Sequence, residues 1–233
     1  MSALISSPLF LAALTLACYI GAVRLRHASG LRVFNPILLG ITGIICFLKL
    51  TGIDYATYTK GGEYIDFWLK PAVVALGVPL YRQLSAIRKQ MIPLLLSELA
   101  GCVAGIVSVV LIARLLGATS DVVLSLVPKA VTAPIAIEIS DTIGGMPSLT
   151  AAVVVCTGVF GSVAGFRILD LTRVNSPIAE GLSMGTAAHA VGTAAALERG
   201  DRYGAYSSLG LTLNGLLTAM LAPAVLGLMG YDL

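Results

Sequence analysis

A polar stretch in the second half of the 233-residue chain places charged side chains inside a run of apolar residues. Lys129, Thr132 and Glu138 lie around Pro134 in this stretch. An ionisable side chain at membrane depth costs at least about 2.5–3.5 kcal/mol, so it usually lines a pathway or pairs with a partner. Lys129 could therefore supply the positive charge that binds a small organic anion, and Glu138 could move a proton. Alternatively, Lys129 reaches the membrane surface through its long side chain, and Glu138 marks the far surface.

A second polar stretch places a stripe of side chains in a segment otherwise rich in Ala and Gly. Thr186, His189 and Thr193 are three and four residues apart, which puts them on one face of a continuous helix. With Thr132 and Ser183, the threonines could hydrogen-bond a bound carboxylate. His189 titrates near neutral pH, so at membrane depth it could contact the substrate or relay a proton. The alternatives are a packing role for His189, and hydrogen bonds from the threonines to their own or a neighbouring helix.

Both stretches contain residues that interrupt helices. Pro134 lacks a backbone donor and clashes with the preceding turn, so we expect the first stretch to stop or kink near Ala133. The carbonyls and amides freed there would help to form the binding site. We assign the break of the second stretch to Gly181 and Gly185, which also offer one face without side chains for close helix approach.

Other kinds of chemistry find little support in the sequence. The four cysteines lie singly within apolar runs, so we expect neither a metal site nor a redox function. Because no nucleophile–base pair or carboxylate pair occurs at a useful spacing, we expect neither an enzyme nor a cofactor. Basic residues occur in short clusters rather than in a long basic arm, so we expect no nucleic-acid partner.

Composition places both stretches in a membrane protein whose main partner is the lipid bilayer. Hydrophobic residues make up 57% of the chain and charged residues only 12%, whereas soluble domains carry about 25% charged residues. At about 20 apolar residues per crossing, the chain has room for about six to eight transmembrane segments. We therefore predict an all-α, multi-pass membrane protein with a single integral membrane domain over residues 1–233. The predicted segments are residues 8–23, 34–50, 64–81, 92–116, 122–139, 147–169, 177–197 and 205–229.

The loops predict the orientation of the chain, because Lys and Arg in short loops prefer the cytoplasm. Basic residues follow the first and the third predicted segments, which puts the N-terminus outside. Full crossings by residues 122–139 and 177–197 would place Arg167 and Arg173 outside, against this rule. We therefore expect these two segments to be broken or re-entrant helices, which are tolerated where they are buried in protein or line a wet cavity.

A loose similarity links residues 70–75 to residues 128–133. It indicates an internal repeat, although chance similarity in Ala- and Val-rich sequence also explains it. Interrupted segments at corresponding positions of two halves are typical of the central site of a transporter.

The two polar stretches together resemble the LrgB/CidB family of bacterial inner-membrane proteins. The resemblance is carried by PKAVTAPIA at residues 128–136 and GTAAHAVGTA at residues 185–194, and it extends over nearly the whole chain in the number, order and length of the segments. It implies two functions. One is an antiholin-like modulator of murein hydrolase export and cell lysis, acting with a small membrane partner of the LrgA/CidA type. The other is transport of small carboxylates. It is implied by similarity to the C-terminal half of the plastid glycolate/glycerate translocator and by the family's link to bacterial uptake or release of pyruvate.

We interpret the chain as a transporter of small monocarboxylates such as glycolate, glycerate or pyruvate, with optional coupling to protons. Helix N-termini and free amides in the broken segments would attract the anion, and Lys129 would supply the counter-charge. The alternative is the antiholin-like modulator of membrane permeability, which explains the Gly-rich helix faces equally well. We expect a homodimer in either case, since Gly-rich membrane helices associate readily.

Overall fold

Helices account for the regular structure in the computed structural model, which describes residues 5–29, 35–68, 71, 77–82 and 84–231. Over these residues, four helices are long and apolar enough to cross a membrane: Pro8–Ser29, Met91–Leu115, Pro147–Leu171 and Asp201–Leu228. The predicted all-α, multi-pass membrane class is confirmed. The described residues hold four such helices against the six to eight predicted segments.

The chain divides into two compact units, Met1–Ala75 and Leu76–Leu233. In the first unit, α1 (Pro8–Ser29) packs against both α2 (Pro36–Thr51) and α3 (Tyr55–Asp66). The first unit contains none of the predicted site residues.

Side-chain caps fix the starts of α2 and α3. The side-chain oxygen of Asn35 accepts hydrogen bonds from the amides of Ile37 and Leu38, and Asp54 accepts one from the amide of Thr57. Such caps satisfy amides that have no partner in the first turn of a helix. The capping residues therefore divide this part of the chain into separate short helices.

The third predicted segment, residues 64–81, is described only in part. α3 already ends at Asp66, and α4 (Gly77–Arg82) is a separate short helix. Residues 69, 70 and 72–76 lie outside the described residues, and with them most of the first copy of the predicted internal repeat. The repeat therefore stays a prediction.

The second unit holds both polar stretches. The elements after α4 are α5 (Leu84–Lys89), α6 (Met91–Leu115), α7 (Ser120–Leu126), α8 (Ala133–Thr142), α9 (Pro147–Leu171), α10 (Pro177–Arg199) and α11 (Asp201–Leu228). α6 and α11 run parallel to each other. Glu98 near the start of α6 lies beside Gly210 in the first half of α11. At the far ends of the two helices, Arg114 donates a 3.0 Å hydrogen bond to the carbonyl of Met229.

α9 runs in the opposite direction. The ring of Phe166 near its C-terminus packs edge-on against Tyr203 in the first turn of α11, with ring centroids 6.1 Å apart. One end of the unit therefore holds the starts of α6 and α11 and the end of α9. We name it the basic end, since it carries Arg88, Lys89, Arg167, Arg173, Arg199 and Arg202.

α10 is a helical hairpin that we name the His189 hairpin (Pro177–Arg199). Arg199 comes 19 residues after Glu180, a separation over which a straight helix would rise about 28 Å. Instead, Arg199 Nη2 lies 3.2 Å from Glu180 Oε2. The backbone reverses at Ala188 (φ −130°, ψ 16°) and His189 (φ 43°, ψ −137°), where the dihedral angles are not helical. Both ends of the hairpin therefore lie at the basic end.

This reversal corrects the position of the predicted break. Gly181 and Gly185 do not break the helix; they lie in its regular first arm. A Cβ atom at Gly181 would lie 2.5 Å from the carbonyl oxygen of Tyr203, and one at Gly185 would collide with the carbonyl oxygen of Ser207. The two glycines therefore let the first arm pack directly on the backbone of α11.

The first polar stretch also turns back on itself, so that its two arms lie side by side. We name it the Lys129 hairpin (residues 120–142). The hydroxyl of Thr150 lies 2.9 Å from the carbonyl oxygen of Ser125 and 2.7 Å from the hydroxyl of Ser140. α7 stops at Leu126, and turns at residues 127–130 and a bend at Val131 precede the start of α8. Val127 and Val131 of this segment belong to a larger apolar cluster that also includes Ile106 and Val110 of α6.

The break of this stretch lies before Pro134 and not at it. Pro134 is in the first turn of α8, where a residue without an N–H leaves no hydrogen bond unmade. The prediction that Pro134 itself stops or kinks a helix near Ala133 is corrected in this respect. Proline starts the second helix here, and residues 127–132 make the interruption.

Candidate functional site

The two hairpins enter the second unit from opposite ends. The His189 hairpin follows α9 and precedes α11 at the basic end, whereas the Lys129 hairpin connects the other ends of α6 and α9. Asn214, near the middle of α11 and 2% exposed, joins them. Its Nδ2 donates to the carbonyl of Ala130 at 3.2 Å and to that of Thr186 at 3.0 Å. The hairpins therefore meet at about half the length of α11.

A cavity of about 330 Å³ lies where the hairpins meet. α6 and α11 form its other walls. Its polar lining residues are Ser97, Glu98, Lys129, Ser183, Thr186, Asn214 and Thr218. This volume is at the small end of ligand pockets, so the cavity suits a small molecule.

Lys129 provides the positive charge of the cavity. Its half-buried ammonium donates to the carbonyl of Gly105 in α6, with the nitrogen and oxygen 3.3 Å apart. Among the described residues, no carboxylate oxygen lies within 4.0 Å of this nitrogen. An ammonium has three donors, so Lys129 can bind an anion in the cavity without first breaking an ion pair.

Glu98 provides a carboxyl group that the sequence-based prediction missed. Its side chain is 1% exposed, and its Oε1 lies 2.5 Å from the hydroxyl oxygen of Thr186. A signal for it was present in the sequence, because Glu98 is a lone acidic residue within the apolar run of α6. An ionisable side chain at membrane depth is costly, so Glu98, like Lys129, is expected to line a pathway or to have a partner.

The structure brings together only part of the predicted polar stripe. Thr186 and Ser183 line the cavity, but His189 and Thr193 do not. His189 points to α9, where its Nε2 lies 2.9 Å from the carbonyl oxygen of Val154. Thr193 hydrogen-bonds the hydroxyl of Ser207 at 2.9 Å. The stripe assumed a continuous helix, and the reversal at His189 separates its members.

Three other predicted site residues also lie outside the cavity lining. Thr132 is the N-cap residue of α8, Pro134 is exposed in its first turn, and Glu138 is exposed further along it. They belong to the arm that leads away from the meeting point of the hairpins. The structure therefore does not bring to the cavity Thr132 and Pro134, which we predicted to bind substrate, or Glu138, which we predicted to move a proton; Glu98 and Asn214 line it instead.

A cluster around Arg199 closes the open end of the His189 hairpin. Besides Glu180, the guanidinium lies 3.4 Å from Asp170, and it covers the rings of Phe166 and Tyr203 at 4.4 and 5.3 Å from their centroids. The side chain of Glu180 is only 3% exposed, so its charge depends on this ion pair. Arg199 thus links both arms of the hairpin to α9 and α11.

We expect Arg199→Leu to lower the free energy of unfolding by about 1–3 kcal/mol. The change leaves the buried carboxylate of Glu180 without its counter-charge, although the partial exposure of Arg199 reduces the effect. Thermal unfolding in detergent measures the change. Arg202→Leu is the matched control, because Arg202 is exposed at the same end; an equal loss in both variants would contradict the role of the ion pair.

Among the described residues, no three His, Cys, Asp or Glu side chains group closely enough to hold a metal ion. The cavity polar groups are one ammonium, one carboxyl, hydroxyls and an amide. Such a set recognises a small polar or anionic molecule by charge and hydrogen bonds.

Comparison with known proteins gives a match along almost the whole chain. The family model described as LrgB-like matches residues 15–228. Curated proteins named antiholin-like protein LrgB from Bacillus mycoides (strain KBAB4), Bacillus cereus (strain B4264) and Bacillus anthracis (strain CDC 684) are each 33% identical to it over 225 residues. Each alignment covers 96% of this chain and 98% of the relative. No solved structure matches significantly.

Proposed function

Because the chain belongs to the LrgB-like family, we propose that it is an antiholin-like protein that regulates the permeability of the bacterial inner membrane. The observation that carries this proposal is the alignment with relatives of that name over 96% of the chain. The family resemblance adds a role in murein hydrolase export and a small membrane partner of the LrgA/CidA type.

We propose that both hairpins are re-entrant, with α6, α9 and α11 as the crossing helices of the second unit. Support comes from the lengths of these three helices and from the return of each hairpin to the end where it starts. The basic end would then face the cytoplasm, as short basic loops prefer. In the first unit, Arg24, Arg26 and His27 lie in the last turns of α1, which by the same rule puts the N-terminus outside.

Autolysis tests the antiholin-like function. We expect a strain that lacks the chain to lyse at a different rate from its parent, and expression of the chain to restore the parental rate. The effect should disappear when the LrgA-type partner is also deleted, and it should survive Lys129→Ala. Unchanged autolysis in the deletion strain, with expression in the parent verified, would contradict this function.

A second function is favoured by the cavity. The Lys129 ammonium has no ion pair within the described part of the chain, and it shares the cavity with Ser183, Thr186 and Asn214, which can hydrogen-bond an oxygen-rich ligand. A small 2-hydroxy or 2-oxo monocarboxylate has one charge and one adjacent oxygen that fit this set. Movement of one hairpin against the rest of the unit would open the cavity to one face at a time, as in carriers with broken helices.

Counterflow of labelled glycolate, glycerate and pyruvate into proteoliposomes separates the two functions. The carrier predicts exchange by the purified chain alone. The modulator predicts that solute movement requires the LrgA-type partner. In both cases we propose a homodimer of the chain, which light scattering on the detergent-solubilised protein tests.

A further inference from the structure

The hydroxyl of Thr186 lies within hydrogen-bond distance of two oxygen atoms but has only one proton to donate. Its oxygen lies 2.8 Å from the carbonyl oxygen of Leu182 and 2.5 Å from Glu98 Oε1. The carbonyl of Leu182 can only accept a hydrogen bond. If Thr186 donates to Leu182, the proton between Thr186 and Glu98 must come from Glu98. If Glu98 is ionised, Thr186 must donate to Glu98 instead.

The other oxygen of Glu98 also favours a protonated side chain. Glu98 Oε2 is buried and has no hydrogen-bond partner among the described residues. A buried ionised carboxylate is costly unless its oxygens are hydrogen-bonded or paired with a charge, whereas the neutral acid demands less. Oε2 and the ammonium of Lys129 both belong to residues that line the cavity.

Close packing holds this arrangement in place. A Cβ atom at Gly210 of α11 would lie 3.1 Å from both Glu98 Oε1 and Thr186 Oγ1, and 2.6 Å from the carbonyl oxygen of Leu182. The three groups therefore lie directly on the α11 backbone. Only a residue without a side chain at this position leaves them in contact.

Besides Glu98, Lys129 is the charged residue of the cavity lining, which also includes Cys102. Cys102 lies one turn further along α6 and contacts Thr218 of α11 at 3.4 Å. His189 of α10 is turned away from the cavity and contacts α9. The protonation state of Glu98 therefore decides whether Lys129 shares the cavity with a negative charge.

We propose that Glu98 is the proton-binding group of the cavity, and that the cavity takes up a carboxylate together with this proton. The inference rests on the second function above. A proton from the solution binds to Glu98 and removes the negative charge from the cavity wall, so that Lys129 binds the anion without repulsion. On the other side of the membrane, Glu98 loses the proton. The hydroxyl of Thr186 then donates its hydrogen bond to the ionised Glu98, whose negative charge repels the anion. One anion and one proton cross together, and Lys129 stays protonated throughout.

Infrared spectroscopy of the purified protein tests the proton site without any substrate. We expect a band of a protonated carboxyl group that disappears on titration to alkaline pH and is missing in Glu98→Gln. Glu138→Gln is the matched control, because Glu138 is exposed on α8 and should not affect the band. If Glu98→Gln fails to fold, Thr186→Val replaces it and should shift the band. An absent band, or a band that neither change alters, overturns the proposal.

Proton-driven uptake into proteoliposomes tests the coupling. A pH gradient that is acidic outside should drive accumulation of the carboxylate by the wild type and by Glu138→Gln. For Glu98→Gln, gradient-driven accumulation divided by the counterflow of the same variant should fall at least about tenfold relative to the wild type. If the wild type exchanges carboxylate but its accumulation does not depend on the pH gradient, the proton coupling is wrong while the carrier function stands. A wild type that moves no carboxylate overturns the second function, and the infrared band then still decides whether Glu98 binds the proton.

Discussion

Lys129→Ala should reduce carboxylate counterflow by about 100-fold, which corresponds to about 3 kcal/mol of binding free energy. The ammonium has no ion pair among the described residues and is the positive charge of the cavity lining. Without it, the anion would leave water for a cavity that offers only neutral donors and a carboxyl group. Lys129→Arg should keep part of the activity, since the charge stays while the geometry of the donors changes.

The measurement is counterflow in proteoliposomes at equal protein content. Lys89→Ala is the matched control, because Lys89 is exposed at the basic end, outside the cavity lining. Size-exclusion profiles and melting temperatures should agree between the two variants, since Lys129 makes only one hydrogen bond to α6. Full counterflow by folded Lys129→Ala would show that the cavity is not an anion site, and the antiholin-like function would then stand alone.

The helical class and much of the segmentation could be predicted from the sequence. Apolar length and low charge are general properties of a membrane-spanning chain, and they do not depend on which helices pack together. Proline positions were equally informative. Pro147 and Pro177 start α9 and α10, as expected for a residue that needs no amide partner in the first turn.

The reversal at His189 could not be predicted from local sequence. Residues 187–190 read Ala-Ala-His-Ala, without the glycine or proline that usually marks a break. Positive φ at a residue with a side chain is uncommon. Tertiary contacts select it here: the His189 ring contacts the carbonyl of Val154 and lies close against Gly158. The predicted stripe failed because a periodicity argument cannot detect a turn that distant residues impose.

Glu98 was missed for a different reason. Glu98 lies on the regular helix α6, outside the two interrupted stretches whose polar residues pointed to a binding site. A buried carboxylate in such a helix needs partners from other elements, and Thr186 comes from a hairpin 88 residues away in sequence. Lys129, Ser183 and Thr186 could be singled out from composition, but their common cavity depends on the opposed hairpins. That arrangement is a property of the fold.

The close approach of the His189 hairpin to α11 predicts a large effect on stability. Gly185→Ala should lower the free energy of unfolding by about 3 kcal/mol or prevent folding. The added Cβ atom would lie 2.8 Å from the amide nitrogen of Leu211 and would collide with the carbonyl oxygen of Ser207. Both are backbone atoms, so rotation of a side chain cannot relieve the overlap, and overpacking of this kind costs about 1–3 kcal/mol or more.

Gly227→Ala is the matched control for this prediction. Gly227 also lies in a helix, but a Cβ atom there meets nothing within 4 Å. Alanine favours helix over glycine by up to about 1 kcal/mol, so this variant should melt at the wild-type temperature or slightly above it. The pair thus compares one chemical change at two helical positions that differ in their neighbours. Equal melting temperatures for the two variants would mean that α10 and α11 do not approach as closely as described. The described geometry of the cavity between the hairpins would then be wrong.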